Sequence, residues 1–165
     1  MGIKTLKHGN FKRARDYFQL ALNEAKQSGN KEFTGTVYNN LGGTYHSLGD
    51  LRKAIEFYQL SLPIAIETGN KDLKGTVYYN LGNAYDRLSE FRKAIEFYQL
   101  SLPIAIETGN KDLKGNVYNN LGCAYESLGE FRRAIEFHQL TLPIAIETGK
   151  KGLKGTVYNL SLIHI

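Results

Sequence analysis

Cysteine is nearly missing: Cys123 is the only one in 165 residues. An internal disulfide is therefore excluded, stability does not lean on an oxidising compartment, and a cytoplasmic location is expected. Long apolar runs are missing too. None approaches the roughly 18–20 residues that span a bilayer, and the opening MGIKTLKHGNFKRARD lacks the apolar centre of a secretory signal. Leu6 stands where a myristoylation signal wants Ser or Thr, so a membrane is not an expected partner. Histidine is sparse and scattered, at His8, His46, His138 and His164. No paired carboxylates, His/Cys cluster or nucleophile–base set occurs at a spacing chemistry could use. The segment GNKDLKGT reads Lys-Gly-Thr where a phosphate loop needs Gly-Lys-Thr, and it follows a helix where a strand is required. No enzyme, metal or cofactor is expected.

What is present is ordinary for a soluble domain: 42% hydrophobic and 22% charged residues, enough for a sizeable core. The net charge of +5 invites a nucleic-acid partner, yet Arg52, Lys53, Lys71 and Lys74 are answered by Glu56, Glu67 and Asp72. That alternation describes solvated helix faces.

Internal repetition organises the chain. Residues 51–90 and 91–130 form a 40-residue repeat that differs at seven positions: Leu51/Phe91, Thr76/Asn116, Tyr79/Asn119, Asn83/Cys123, Asp86/Glu126, Arg87/Ser127 and Ser89/Gly129. The array divides into a partial helix at 1–10, repeats at 11–50, 51–90 and 91–130, a partial repeat at 131–160 and an off-register tail at 161–165. Neither end supplies a polar cap, so the single array 1–165 is expected to be an excerpt of a longer one.

Each repeat carries two helical signals. One covers 51–68, with Asp50 placed to cap it and Gly69 to end it in a left-handed conformation. The other covers 71–88 and ends near Ser89, where the flanking repeats have Gly49 and Gly129. Connections of two or three residues force antiparallel neighbours. Gly82 lacks a side chain where two helices must approach closely, at roughly 1 kcal/mol of helix propensity. Pro63, Pro103 and Pro143 lie inside the first helix of each repeat on the polar stripe Arg52, Glu56, Gln59, Pro63, Glu67, where a bend is expected. The opposite surface, Ala54, Ile55, Tyr58, Leu62, Ala65 and Ile66, is expected to pack against its own partner helix and the next repeat.

Tyr78, Leu81, Gly82 and Tyr85, followed by Ala94 and Tyr98, resemble the tetratricopeptide repeat. The signature recurs at Tyr38, Leu41, Gly42, Tyr45, Ala54 and Tyr58, and again at Tyr118, Leu121, Gly122, Tyr125 and Ala134 with His138 in the last place. The 40-residue length exceeds the family's usual 34, and Ile66, Ile106 and Ile146 replace its closing proline. The longer text YxNLGxAYxxLG is similar to that of G-protein-signalling-modulator polarity adaptors and, less closely, kinesin light chains. The resemblance implies an all-α fold, a right-handed α-α superhelix (solenoid) of antiparallel hairpins. It also implies a scaffold that binds an extended peptide segment of a partner in a concave groove.

The variable positions fall on one face. At about 100° per residue, 76, 79, 83, 86 and 87 share one stripe, opposite Val77, Leu81, Ala84, Tyr85 and Leu88. By contrast, residues 52–75 and 92–115 are identical. A common scaffold displaying different contact residues produces that pattern; drift would scatter differences along the unit. In the tetratricopeptide arrangement the stripe lines the concave surface, as Thr36, Asn39, Gly43, His46 and Ser47, then Thr76, Tyr79, Asn83, Asp86 and Arg87, then Asn116, Asn119, Cys123, Glu126 and Ser127. Beside it an unvarying Asn40, Asn80 and Asn120 form a ladder whose amides can donate to and accept from a peptide backbone. Tyr79 is the expected anchor, a large amphipathic ring of low entropy cost. Asp86, Arg87 and Glu126 are the stripe's only formal charges, and no Lys occupies 39, 79 or 119; a mostly polar ligand held by its backbone fits best. Cys123 has no basic neighbour to make a reactive thiolate. Two alternatives remain: stacking of near-identical repeats end to end into homo-oligomers, and an RNA-reading helical array, which a groove that is not basic and a period of 40 disfavour.

Overall fold

The computed structural model describes residues 2–149, with side chains described over 13–149. The off-register tail 161–165 and the expected helix after residue 150 lie outside the described residues. Among those described, seven helices follow one another: α1 (Gly2–Gln27), α2 (Lys31–Leu48), α3 (Leu51–Glu67), α4 (Lys71–Arg87), α5 (Phe91–Glu107), α6 (Lys111–Ser127) and α7 (Phe131–Glu147). They build a right-handed α-α superhelix of antiparallel hairpins.

Local chemistry sets most boundaries. Asn30, Asn70 and Asn110 cap α2, α4 and α6, each accepting the backbone N–H three residues on. Asp50 does the same for Lys53 at α3, while Glu90 and Glu130 make no cap and pair with Lys93 and Arg133 instead. Gly49, Gly69, Gly109 and Gly129 turn the chain in the left-handed region. Ser89 occupies the same conformation at φ 60°, the only non-glycine to do so among the described residues. At the equivalent Gly9 there is no turn: α1 runs unbroken from Gly2 to Gln27, so the fragment 1–10 and the helix opening at Phe11 are one element. Glycine can continue a helix as well as end one; only a left-handed φ makes the break.

The tightest pairs are α2 with α3, α4 with α5 and α6 with α7. The hairpin therefore begins at the YxNLG helix rather than at residues 11, 51 and 91. Glycine is the reason. A Cβ on Gly42 would lie 2.4 Å from Tyr58 Cε1, and one on Gly82 would lie 2.5 Å from Tyr98 Cε1. The ring of the second helix thus rests on the bare backbone of the first. One turn earlier in space, Ser61 and Ser101 are fully buried and donate to the Gly35 and Gly75 carbonyls at 2.8 Å. Phe57, Phe97 and Phe137 stack on Tyr45, Tyr85 and Tyr125 with centroids 5.3–5.5 Å apart.

Besides the packing of α3 on α4 and of α5 on α6, α2 touches α4 and α4 touches α6. The stack curves, with α2, α4 and α6 on the inner face. Exposed ion pairs Lys31–Glu67, Lys71–Glu107 and Lys111–Glu147 repeat along the outside, worth about 0–1 kcal/mol each. Pro63, Pro103 and Pro143 face solvent within helices that continue through them. Ile66 departs from expectation: it is 53% exposed, as Ile106 and Ile146 are. It lies in the last turn of α3, next to the C-terminal cap. Leu88, expected on the apolar face, is 37% exposed at the C-terminal cap of α4.

Candidate functional site

The stripe on α2, α4 and α6 faces the inner surface and is wired from repeat to repeat. Asn80 Nδ2 donates to Asn39 Oδ1 at 3.0 Å, and Arg87 reaches back to the His46 carbonyl at 3.0 Å. Asn120 Nδ2 donates to Asn83 Oδ1 at 2.8 Å and lies 3.3 and 3.4 Å from the Tyr79 and Tyr98 hydroxyls. Each of these bonds spans neighbouring repeats, so Asn80 and Asn120 join the array as well as line it. The arrangement is graded. Asn120 is the most heavily bonded of the three, its Oδ1 also accepting from Asn119. Asn80 makes one bond through an amide with two N–H donors. Asn40 forms no side-chain hydrogen bond among the described residues.

The remaining stripe residues divide by burial. Thr76, Asn116 and Cys123 are half-buried, as is Thr36, which bonds back to the Glu32 carbonyl of its own helix. Arg87 and Glu126 are exposed. Asp86 is half-buried and burial raises its pKa. Burial also raises the Cys123 thiol, with Glu126 and Asp86 adding to the effect, so the thiol form is favoured. The His46 imidazole is lowered by burial and by the Arg87 charge, against the Asn83 main chain, and is neutral near pH 7. Tyr79, the expected anchor, packs its ring 6.0 Å from that of Tyr98 while its hydroxyl meets Asn120. Much of its contact area is spent inside the protein.

One layer of the groove is not legible from the stripe alone. Tyr58 and Tyr98 pass beneath Gly42 and Gly82, and their hydroxyls reach the inner surface. What meets each hydroxyl is set by the next residue along the stripe. In the second repeat Asn83 Oδ1 accepts from Tyr98 at 2.8 Å. In the first, Gly43 offers no side chain; a Cβ there would meet only Tyr58 Oη, at 3.9 Å. An open concavity of about 560 Å³ results, walled by Ala14 and Phe18 of α1 and floored by Asn39, Asn40, His46, Tyr58 and Asn80. In the third repeat His138 replaces the tyrosine, is 2% exposed, and leaves both ring nitrogens without a partner. Glycine against Asn83 and Cys123 in the stripe was the available signal; the tyrosine beneath it required the helix register.

No curated protein matches the chain. Among solved structures it is similar to BtubC (BKLC) from P. vanneervenii, at 26% identity and TM-score 0.81 over 94% of this chain and 68% of that one. It is also similar to the putative kinesin light chain of Podosopora anserina with nearly identical TPR-like repeats, at 17% identity and TM-score 0.70 over 86% and 70% of the two chains. A third is the signal transduction ATPase PH0952 from Pyrococcus horikoshii, which has a tetratricopeptide repeat sensor. The match is at 23% identity and TM-score 0.81 over 91% of this chain and 23% of that one. The profile of the tetratricopeptide repeat matches residues 5–67, 54–107 and 73–147, a span that takes in the YxNLG signatures, the glycine-on-tyrosine packing and the curved stack alike, and the chain belongs to the tetratricopeptide-repeat family.

Proposed function

We propose that this array is a non-enzymatic scaffold whose inner groove holds an extended, mostly polar peptide segment of a partner protein. The observation that carries the reading is where the repeats differ. The helix pair 52–75 and 92–115 is identical in sequence, while five of the seven differences, at 76, 79, 83, 86 and 87, lie on the inner stripe of α4 against α6. A face that varies on an unvarying frame is a face that selects.

The geometry divides the work. Asn80 and Asn120 hold neighbouring repeats in register, so the groove presents a pre-organised surface and little ordering entropy is lost on binding. Asn40 and the second N–H of Asn80 remain to pair with a peptide backbone. Thr36, His46, Asp86, Arg87, Asn116 and Glu126 then read side chains along the groove. Binding of the purified chain to a library of unstructured peptides tests this, with Asn40→Ala/Asn80→Ala as the groove variant. Selected peptides that the variant binds about tenfold or more weakly, with helicity retained, support the reading; one or two lost hydrogen bonds account for that factor. Selection indifferent to the variant, or loss of binding only upon loss of helicity, sinks it.

A further inference from the structure

The three inner positions over the tyrosine layer are not equivalent. Asn83 caps Tyr98, Cys123 stands at the matching position in the repeat that carries the shorter His138, and Gly43 leaves Tyr58 uncapped at the bottom of the concavity. A polar hydroxyl at the base of a recess, with a built-in precedent for what caps it, defines the missing group: in the neighbouring repeat the protein itself supplies a carboxamide oxygen at 2.8 Å. We propose that the concavity over Gly43 is the anchoring subsite of the groove and takes a glutamine or asparagine side chain of the partner. The proposal rests on the peptide-groove reading and names the ligand chemistry within it.

The lining carries the argument. Among the described residues every polar group lining the recess is uncharged: the amides of Asn39, Asn40 and Asn80, the hydroxyls of Thr44, Ser47 and Tyr58, and an imidazole held neutral by burial. Arg87, the nearest cation of the stripe, is tied to the His46 carbonyl and does not line the recess. A carboxylate or ammonium entering it would shed water without meeting a counter-charge, which is unfavourable. A purely apolar side chain would leave the Tyr58 hydroxyl and the Asn40 amide unpaired. A carboxamide accepts from the hydroxyl and both donates to and accepts from the asparagines, while its methylene stem lies against Ala14 and Phe18. The space, about 560 Å³, holds such a side chain with part of an extended backbone.

The test uses the chain's own second repeat as its template. Gly43→Asn should fold, because a Cβ there has only a 3.9 Å neighbour, and its amide should cap Tyr58 as Asn83 caps Tyr98. The probe is N-acetylglutamine N-methylamide, titrated into ¹⁵N-labelled protein, with the N-acetylglutamate and N-acetyllysine N-methylamides as controls. The expected result is saturable shifts of the Gly43, Ser47, Asn40 and Asn80 resonances with the glutamine probe only, abolished in Gly43→Asn. Selected peptides should carry Gln or Asn at one fixed position and bind Gly43→Asn about tenfold or more weakly. Shifts of equal size from the charged controls, or probe binding unaltered in Gly43→Asn, overturn the proposal. Peptide selection that Gly43→Asn leaves untouched, with no probe shifts, refutes the subsite and spares the groove. Probe shifts without any peptide selection support the subsite and refute the groove reading.

Discussion

His138 is the point at which this array departs most from its own rule, and replacing it with tyrosine should stabilise the protein. The side chain is 2% exposed, lies against Gly122 with ring atoms 2.6 Å from where a Cβ would sit, and has both nitrogens unpartnered. A buried polar atom left without a partner costs about 1–3 kcal/mol. Tyr58 and Tyr98 fill the same space in the two preceding repeats, at 2% and 1% exposure, so the pocket accepts the ring. His138→Tyr removes the orphaned nitrogens and sends a hydroxyl to the inner surface. A gain of roughly 1–3 kcal/mol at pH 7.5 is expected, read as the urea midpoint at unchanged m-value. The gain should also depend on pH. Burial holds the folded pKa of His138 below its ordinary 6.5, with Glu126 opposing weakly. Between the folded and unfolded pKa values the unfolded chain therefore binds more protons, and stability falls as pH falls through 6.5. The wild-type chain loses up to about 1.4 kcal/mol per pH unit in that window from this group, and His138→Tyr does not. The advantage of the variant must widen from pH 7 to pH 5. A variant less stable than wild type at pH 7.5, or a difference constant across that range, would refute the reasoning.

Three further outcomes follow from the same geometry. Gly82→Ala should destabilise by about 1–3 kcal/mol or more because its Cβ would stand 2.5 Å from Tyr98, whereas Gly43→Ala should be neutral or stabilising by up to about 1 kcal/mol; thermal melts of the pair decide, and equal effects would contradict the glycine-on-tyrosine packing. Ser89→Gly should raise stability by roughly 1 kcal/mol, since Ser89 sits at φ 60° where the flanking repeats use glycine; an unchanged or lower urea midpoint counts against it. Asn120→Ala should lose about 1–2 kcal/mol by removing its bonds to Asn83 and to the Tyr79 and Tyr98 hydroxyls, while the Tyr98–Asn83 bond stays, and Asn40→Ala much less; the two are compared by urea denaturation, and equal losses would mean the ladder does not join the repeats as described.

Periodicity alone determined the hairpin array, because a 40-residue repeat with helical spacing, a cap at Asp50 and a turn at Gly69 admits little else. The same text marked the inner stripe, since five of seven differences gathered on one helical face are visible in a list of letters. Composition likewise set the charge as a solvated surface. Tertiary structure decided what the stripe does at each repeat. That Asn80 and Asn120 reach across to Asn39 and Asn83, that Ile66 ends in solvent, and that Tyr58 lies under Gly43 are facts about residues 15 to 41 positions apart, brought together by helix packing. Sequence spacing governs contacts along one helix; the contacts that shape this groove run between helices, where distance along the chain carries no information until glycine lets the backbones meet.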